Sequence, residues 1–483
     1  MNAVARILVQ LTFALTLVQG TSCDVMTSSI KIERMVKNEE NLLQQLKTFI
    51  DDQLDRIKVM IQFFADRWLE IHMDNSTTQA DLDHPNTILL VIKQFQDKYE
   101  AALGNNYDNF LQMLNKTNDL FLPDDDDFMT ALLALVRLQN TYNLSVSNMI
   151  SGDYLDYKGP PLSSIDAFFI GLVAYGENDF NQSLEWWDAS LSRQSDRTYS
   201  QWKGPTRLDT ATVKALMGET YFYLGKGHEA KSLYNEAKML DPNNSIVLRL
   251  ENALKNPTNE KLEDVNEDYN YTKLCRLQHQ LYDLAPNDVR LVCRFRETLL
   301  PYYRFQEELL SISPFVSLIY KFTTDTESEF FKTAVRNKMR RGQVIGSDKR
   351  SITTKQRTGN VGWVKNEDSE VADKLSKKIA HVTGLNTSEN DQSAEPFQVV
   401  NYGLAGHYFL HTDAEEDKLE RIMTFLIYLS DVEMGGATVF PKVGISVTPQ
   451  KNMALMWYNF NTAYKEDEMT LHAGCSVLIG QKW

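Results

Sequence analysis

Three side chains able to bind a metal ion stand near the C-terminal end of the sequence. His411 and Asp413 are separated by one residue, and His472 follows 59 residues after the aspartate. In a β-strand, side chains two positions apart point to the same face, so His411 and Asp413 could hold one ion together. Two imidazoles and one carboxylate on one face of a metal leave the opposite positions open, and this is the ligand set of non-haem Fe(II) oxygenases.

Lys482, ten residues after His472, adds a second chemical signal. A buried ammonium at the far end of a metal pocket would pair with one end of a dicarboxylate whose other end chelates the metal. A His-x-Asp pair alone is weak evidence, because two ordinary surface residues have this spacing by chance in many proteins. The spaced histidine, the lysine and the strand pattern around them together favour a metal site.

The residues around the ligands have the pattern of β-strands. Apolar, aromatic or β-branched runs cover residues 421–429, 445–447, 453–458 and 475–479. Gly435 and Gly436, and the segment 449–452, separate these runs as turns. A helix is predicted at 369–383, before the strands. The C-terminal part is therefore predicted to be a β-rich domain that carries the metal ligands.

These residues resemble the catalytic domain of collagen prolyl 4-hydroxylase α subunits. The matching segments are 398–403, 406–408, 411–413, 428–431, 435–441, 457–459, 472–475 and 477–483, and the segment 137–144 is similar to the stretch before the family's peptide-binding domain. The resemblance covers nearly the whole chain that follows the first residues. It implies a double-stranded β-helix (jelly-roll) oxygenase domain that uses Fe(II), 2-oxoglutarate, O₂ and L-ascorbate.

The resemblance also implies roles for individual residues. Three would bind iron and three would bind 2-oxoglutarate: His411, Asp413 and His472 for the metal, and Lys482, Tyr408 and Thr438 for the cosubstrate. It implies a disulfide between Cys275 and Cys293. The family pairs the counterpart of Cys475 with a further cysteine, so Cys475 is expected here to have no partner.

The beginning of the chain predicts entry into the secretory pathway. Residues 1–22 read as a signal peptide with Arg6 in a basic start and an apolar run at 7–18, which is too short to span a bilayer. No later membrane span is expected. Seven glycosylation sequons fit a lumenal glycoprotein: Asn75, Asn115, Asn143, Asn181, Asn243, Asn270 and Asn386. The net charge of −15 argues against nucleic-acid binding.

The N-terminal half is predicted to be helical. A first apolar stripe recurs at helical spacing: Leu43, Ile50, Leu54, Ile57, Ile61, Phe64 and Trp68. This stripe predicts either one helix of a bundle or a dimerising coiled coil. The resemblance favours dimerisation, and it implies an α₂β₂ assembly with protein disulfide isomerase as the β subunit.

A second helical pattern fits the 34-residue tetratricopeptide (TPR) template. Counted back from Pro242, the residues at template positions 8, 11, 20, 24 and 27 are Gly218, Tyr221, Ala230, Tyr234 and Ala237. A weaker copy starts near Gly171, and two ordinary helical hairpins remain the alternative. A groove of this kind can bind a polyproline II peptide on aromatic rings, for which the candidates are Tyr175, Tyr221 and Tyr223.

The sequence thus predicts a multidomain protein with an all-α N-terminal half, made of a coiled coil and TPR-like helices, and a jelly-roll oxygenase domain. The predicted parts are a signal peptide at 1–22, a helical dimerisation domain at 23–144, a peptide-binding domain at 145–250, a disulfide-bearing linker at 251–310 and the oxygenase domain at 311–483. The expected activity is 4-hydroxylation of proline in collagen-like Xaa-Pro-Gly or proline-rich peptides in the endoplasmic reticulum lumen. The alternatives are a catalytically impaired paralogue that binds proline-rich peptides, and a 2-oxoglutarate hydroxylase of another peptide.

Overall fold

The computed structural model describes residues 39, 43–51, 54–58, 61–62, 83–103, 125–193, 208–255, 270–276, 290–298, 302–342, 344–345, 351–352, 357–389, 393–414 and 421–483. Two compact units share the chain. One comprises Met1–Asp74 with Ala102–Asn105, and the other comprises Asn75–Ala101 with Asn106–Trp483. The predicted signal peptide lies outside the described residues. Within the described ranges, no helix combines the length and the apolar character needed to cross a bilayer.

In the first unit, the described residues are helical and display the predicted apolar stripe. Its described members are between 41% and 63% exposed: Leu43, Ile50, Leu54, Ile57 and Ile61. Phe64 and Trp68, the last two positions of the stripe, lie outside the described residues. A continuous row of exposed apolar side chains is the expected surface of a coiled-coil partner, and the dimerisation assignment stays a prediction.

The larger unit begins with helices and one short hairpin. Their bounds are α1 Pro85–Leu103, α2 Asp125–Tyr142, α3 Val146–Ser151, β1 Asp153–Tyr154, β2 Tyr157–Lys158, α4 Ser164–Gly176, α5 Phe180–Ser192, α6 Thr210–Tyr223, α7 Gly227–Leu240 and α8 Ser245–Lys255. Local chemistry explains where two of the helices begin. Pro85 occupies the first position of α1, and Ser163 with Asp166 forms a capping box on α4.

Helices α4 and α5 form one pair, α6 and α7 form a second, and α8 packs against α6. Small residues allow this close approach. A Cβ on Gly171 would lie 2.5 Å from the Trp187 indole nitrogen, and a Cβ on Gly218 would lie 2.7 Å from Leu250. Ala230 is fully buried. The predicted helical hairpins are therefore present, and their assignment as TPR repeats stays a prediction.

The rest of the larger unit is rich in β-strands. The bounds are α9 Asn270–Arg276, β3 Cys293–Glu297, β4 Arg304–Ile312, β5 Phe315–Tyr320, α10 Asp325–Val335, β6 Arg340–Arg341, β7 Val344–Ile345, β8 Ser351–Ile352, β9 Asn360–Val364, α11 Glu370–Thr383, β10 Phe397–Asn401, β11 Tyr408–His411, β12 Met423–Ile427, β13 Met434–Gly435, β14 Thr438–Phe440, β15 Ile445–Val447, β16 Ala454–Tyr458, β17 His472–Gly474 and β18 Val477–Ile479. This agrees with the predicted β-rich C-terminal domain and with the helix predicted at 369–383.

Two antiparallel sheets dominate this region. One has the strand order β11-β17-β14-β15 and the other has the order β12-β16-β5-β4-β3. Helices α10 and α11 contribute Phe331 and Leu375 to a core with Ile319 and Met456 of the five-stranded sheet, so they cover one face of that sheet. The opposite face packs on the four-stranded sheet, where Val316 and Leu455 share a second core with Phe440 and Val447. The jelly-roll description of this arrangement stays a prediction.

The five-stranded sheet starts earlier than the sequence predicted. Strand β3 and most of β4 lie within the predicted linker at 251–310, and the predicted domain start at 311 falls near the end of β4. Charged residues such as Arg294, Glu297 and Arg304 hide the strand pattern in this segment. Such residues are common on edge strands, where they discourage pairing with other chains, and β3 is an edge strand.

The helical part and the strands share one hydrophobic core. Leu135 and Leu138 of α2 and Ile170 of α4 belong to the same buried cluster as Val439 and Leu478 of the β-region. The predicted boundary at 144/145 therefore falls within continuous packing. An amphipathic pattern shows which face of a helix is buried but not which element covers it, and the sequence could not supply that information.

The disulfide prediction is wrong. Cys275 on α9 bonds to Cys475, which directly follows β17, and Cys293 is an exposed free thiol. Pairing cannot be deduced from cysteine spacing. The Cys275–Cys475 pairing follows from the packing of α9 on the strands, where the carbonyl of Leu274 accepts a 3.1 Å hydrogen bond from Ser446. The expectation that Cys475 has no partner is also overturned.

Candidate metal and cosubstrate site

Antiparallel strand pairing places the three predicted ligands together. His411 ends β11 and pairs directly with His472 at the start of β17, while Asp413 lies two residues beyond β11. The candidate ligand atoms all lie within 4.8 Å of one another. Each oxygen of Asp413 is 3.6 Å from one imidazole Nε2, Oδ1 from that of His411 and Oδ2 from that of His472. The three groups therefore point at one small volume.

Hydrogen bonds fix both imidazoles in the form that a metal needs. The Nδ1 atom of His411 lies 2.7 Å from the carbonyl oxygen of Phe409, and that of His472 lies 2.9 Å from the carbonyl oxygen of Thr470. A carbonyl can only accept, so each Nδ1 carries the proton. Each neutral ring then has its lone pair on Nε2, on the side that faces Asp413.

The protonation states support the same arrangement. Burial, together with the neighbouring His472, lowers the pKa of His411 to about 3, so the ring is neutral near pH 7. For Asp413, burial opposes ionisation, but the two imidazoles and a hydrogen bond from Thr424 outweigh it and hold the carboxyl pKa below its ordinary value. A neutral His411 imidazole beside an ionised Asp413 carboxylate is the result.

A short chain of polar groups orients the carboxylate. Thr424 on β12 donates a 2.7 Å hydrogen bond to Asp413. Asn459, after β16, in turn donates to the Thr424 hydroxyl at 2.9 Å and to the carbonyl of Arg421 at 2.7 Å. Partners of this kind hold a ligand in place and are usually important for metal affinity.

Aromatic rings surround the ligands and restrict water. Tyr408 stacks on His411 with ring centroids 3.6 Å apart. Trp457 lies edge-on to His472 at 4.8 Å, and Phe440 lies 5.5 Å from the same ring. Trp457 and Phe440 are fully buried. The metal side of the site is therefore largely enclosed by apolar surface.

The second end of the site contains the buried Lys482. Its ammonium donates to the carbonyl of Gly436 at 2.6 Å and to the hydroxyl of Thr438 at 3.4 Å, and the residue is 7% exposed. Tyr428 also donates to the Thr438 hydroxyl, at 2.8 Å. Burial lowers the pKa of Lys482 to about 7, because its described contacts include no carboxylate. An incoming carboxylate would restore the charged form.

The strand register connects the two ends. Gly474 on β17 pairs with Tyr408 on one side and with Thr438 on the other, two residues along the strand from His472. Residues two apart on a strand share a face, so Gly474 puts no side chain on the ligand-bearing face, where a Cβ would meet Tyr408 at 3.6 Å. An elongated dianion with a chelating end and a free carboxylate matches this layout. The residues present thus fit both a divalent metal and a dicarboxylate.

Some site residues were missed from the sequence. Thr424 on β12 and Tyr428 directly after it stand four residues apart, but the three residues between them are all apolar, so no alternation marked the face that meets the ligands. Arg357 gave no signal either. It is 8% exposed, its guanidinium lies 4.8 Å from the Tyr408 ring, and it donates to Gln398 at 2.6 Å.

The predicted peptide-binding tyrosines divide into two groups. Tyr175 and Tyr223 lie together, with ring centroids 6.5 Å apart, and Phe180 stacks on Tyr223 at 6.0 Å. Tyr221 instead faces Lys226, whose ammonium is 5.6 Å from its ring. Two residues apart on a helix point in nearly opposite directions, so Tyr221 and Tyr223 cannot both line one surface. We call Tyr175, Phe180 and Tyr223 the aromatic patch.

Two family models match this chain, one in its N-terminal half and one at its C-terminal end. The family model for the N-terminal region of the prolyl 4-hydroxylase α subunit matches residues 28–156, and that of the 2OG-Fe(II) oxygenase superfamily matches residues 397–483. The human prolyl 4-hydroxylase subunit α-3 is 27% identical over 95% of this chain and 91% of its own length. The rat subunit α-1 is 28% identical over 95% of this chain and 92% of its own length.

Among solved structures, a viral collagen prolyl hydroxylase from Paramecium bursaria Chlorella virus 1, in complex with 2-oxoglutarate, is 22% identical. The match covers 35% of this chain and 90% of that chain, with a TM-score of 0.28.

Proposed function

The chain belongs to the prolyl 4-hydroxylase α-subunit family, and on that premise we propose that its β-rich domain hydroxylates proline at C4 in collagen-like Xaa-Pro-Gly peptides, with Fe(II), 2-oxoglutarate and O₂. The observation that carries this proposal is the convergence of His411, Asp413 and His472 beside the buried Lys482. An iron site alone would fit several chemistries. The cation at its far end favours a dicarboxylate cosubstrate.

The three convergent side chains would hold the iron through two imidazole Nε2 atoms and the Asp413 carboxylate. Bound Fe(II) and 2-oxoglutarate supply the oxidising chemistry, with L-ascorbate as the reductant expected for this family. The contribution of the chain is positioning. The carbonyls of Phe409 and Thr470 and the hydroxyl of Thr424 hold the ligands in one orientation before the metal enters.

Lys482 would bind the distal carboxylate of 2-oxoglutarate, with the hydroxyl of Thr438 beside it. Tyr408 would form the wall on the metal side of the cosubstrate, where it stacks on His411. Enclosure by apolar rings strengthens each of these charge interactions and limits side reactions with water. The chain thus supplies a site walled by aromatic rings, with Lys482 as the cation at its far end.

The substrate peptide would be bound in part by the helical region. A proline-rich segment in the polyproline II conformation has little conformational entropy to lose and stacks well on aromatic rings. Tyr175 and Tyr223 of the aromatic patch support this role. Tyr221 faces Lys226 and is not part of the proposed peptide-binding surface.

Assembly and location follow from the family and the sequence. The exposed apolar stripe of the first unit supports self-association, and the α-subunit relatives support a β-subunit partner, which we take to be protein disulfide isomerase in an α₂β₂ complex. The signal-peptide pattern at 1–22 and the Cys275–Cys475 disulfide support the endoplasmic reticulum lumen.

The test is decarboxylation of labelled 2-oxoglutarate by the purified full chain, with and without co-expressed protein disulfide isomerase. We expect labelled CO₂ release that needs Fe(II) and that rises several-fold when a (Pro-Pro-Gly)ₙ peptide is added. Release that ignores the peptide in both preparations would contradict prolyl hydroxylation. Matched stimulation by an unrelated peptide without proline would favour another peptide substrate.

A further inference from the structure

A buried carboxylate lies beside the aromatic patch. Glu219, on α6, is 3% exposed, one helical turn before Tyr223. Its carboxylate accepts a 2.5 Å hydrogen bond from the guanidinium of Arg249 on α8. Burying an unpaired charge is strongly unfavourable, so this ion pair is a condition for the carboxylate to remain ionised there.

The two tyrosines of the aromatic patch lie beside the ion pair, on side chains supplied by three helices. Tyr175 comes from α4, Tyr223 and Glu219 come from α6, and Arg249 comes from α8. The hydroxyls of Tyr175 and Tyr223 hydrogen-bond with each other, and the charge of Glu219 adds to burial in raising the pKa of Tyr175. These polar groups therefore lie close enough to act on one bound ligand.

Arg249 is the accessible member of the pair. Its side chain is 52% exposed, compared with 4% for Glu219. A guanidinium has five N–H donors in a planar fork, and its hydrogen bond to Glu219 uses the Nη2 group. A half-exposed fork held at one end presents its remaining donors in a fixed direction.

The chemistry of a proline-rich peptide calls for such donors. Proline has no backbone N–H, and a polyproline II chain makes no internal hydrogen bonds, so its carbonyl oxygens are free acceptors. Glu219 alone would repel these acceptors, because an ionised carboxylate cannot donate. Paired with Arg249, the same position becomes electrically neutral overall and offers N–H groups to the peptide.

We propose that Arg249, oriented by the buried Glu219, is a specificity-determining residue that donates hydrogen bonds to backbone carbonyls of a proline-rich peptide stacked on Tyr175 and Tyr223. This inference rests on the proposed function. If Arg249 were only a structural counter-charge, a lysine could replace it, because a lysine would also neutralise Glu219. A lysine would lack the planar fork that the proposed hydrogen bonds to the peptide need. We also expect that neutral peptides bind with little dependence on salt, since the pair is compensated within the protein.

The experiment measures peptide binding by the metal-free full chain. Labelled (Pro-Pro-Gly)₅ is titrated with the wild type, Arg249→Lys, Arg249→Met and Glu219→Gln, and fluorescence anisotropy reports Kd. We expect a roughly 3- to 10-fold higher Kd for Arg249→Lys and roughly tenfold or more for Arg249→Met. Glu219→Gln, whose amide oxygen still accepts from Arg249, should stay within about threefold of the wild type.

A matched control is Arg304→Lys, because Arg304 is also about half exposed and pairs with Glu297 at 2.8 Å, on strands β3 and β4. This variant should bind like the wild type. Arg249→Met leaves Glu219 without its partner and could unfold the chain, so the soluble Arg249→Lys variant decides the question.

An unchanged Kd for folded Arg249→Lys would overturn the inference. So would an affinity that prefers acidic peptides and collapses in salt, which would describe a receptor for carboxylates. Peptide-dependent decarboxylation by the same wild-type preparation distinguishes failure of the role of Arg249 from failure of the proposed function. If it occurs while Arg249→Lys binds normally, the proposed function stands and the role of Arg249 falls.

Discussion

The strand-built site and the helical patch treat their basic residues in opposite ways. Lys482 is buried against a carbonyl and a hydroxyl, and burial lowers its pKa to about 7. Arg249 is half exposed, and its hydrogen bond to the carboxylate of Glu219 raises its pKa. The first cation has its charge compensated only when an anion binds, while the second is compensated by the protein itself.

The difference indicates what each region is built to bind. A buried cation whose described contacts include no carboxylate favours an anionic ligand, which we propose is the distal end of 2-oxoglutarate. An internally neutral pair among aromatic rings selects an uncharged chain that offers carbonyl oxygens. Cosubstrate recognition and peptide recognition are thus assigned to different regions. Mutations in one region should change the binding of one ligand and leave the binding of the other unchanged.

The largest effect should come from the metal ligands. Asp413→Ala or His472→Ala removes one of three convergent donors, so turnover should fall by more than the roughly 10- to 100-fold cost of losing an outer-shell partner. Peptide Kd should not change, because the aromatic patch lies on helices. Steady-state hydroxylation and anisotropy measure the two quantities, with His381→Ala on α11 as the control. Near-normal turnover in either variant would refute the ligand assignment.

Lys482→Ala should act on the cosubstrate alone. Removal of the only described cation near Thr438 should raise the KM for 2-oxoglutarate by roughly 100-fold, with the KM for peptide unchanged. Lys442→Ala provides the control, because that lysine is 37% exposed and pairs with Glu468. An equal rise in both KM values would mean that Lys482 supports the pocket as a whole and does not bind the carboxylate.

The disulfide should stabilise the larger unit. Cys275→Ser breaks the bond between α9 and the segment after β17, and the free energy of unfolding should fall by about 2–5 kcal/mol. Cys293→Ser changes an exposed free thiol and should stay within about 0.5 kcal/mol of the wild type. Thermal denaturation compares the two variants. Equal destabilisation by both would instead support the pairing of Cys275 with Cys293.

Cosubstrate affinity should depend on pH through Lys482. Without an anion, Lys482 loses its proton as the pH rises through about 7, and the carboxylate binds the protonated form. Affinity for 2-oxoglutarate should therefore be constant below about pH 7 and fall up to tenfold per pH unit above it. Calorimetric titration between pH 6 and 9, with Zn²⁺ in place of iron, measures this. Lys482→Arg should flatten the profile, because a guanidinium stays charged; a flat wild-type profile would contradict the account.

The smallest effect should separate two tyrosines. Tyr223→Ala removes a ring of the aromatic patch and should weaken peptide binding by roughly tenfold. Tyr221→Ala is a matched change two residues away on the same helix, on the side that faces Lys226, and it should leave peptide Kd unchanged. Anisotropy titration of both full-length variants checks this. A larger loss in Tyr221→Ala would reverse the assignment of the two helix faces.

The candidate metal ligands could be predicted from the sequence because their information is local. His411 and Asp413 are two residues apart, and the residue types alone indicate the metal chemistry. The partner of Cys275, the pairing of Glu219 with Arg249, and the position of Arg357 depend on contacts between segments far apart in the chain. Periodicity identifies a buried face, but the element that covers that face is decided by the tertiary packing.

Product analysis is the most direct test of proline 4-hydroxylation by this chain. Purified wild-type chain, co-expressed with protein disulfide isomerase, is incubated with (Pro-Pro-Gly)ₙ, Fe(II), 2-oxoglutarate and L-ascorbate, and the peptide is examined by mass spectrometry and amino-acid analysis. We expect 4-hydroxyproline and succinate in equal amounts, and neither product with Asp413→Ala. Succinate formed without hydroxyproline, or oxygen added to a residue other than proline, would contradict proline 4-hydroxylation by this chain.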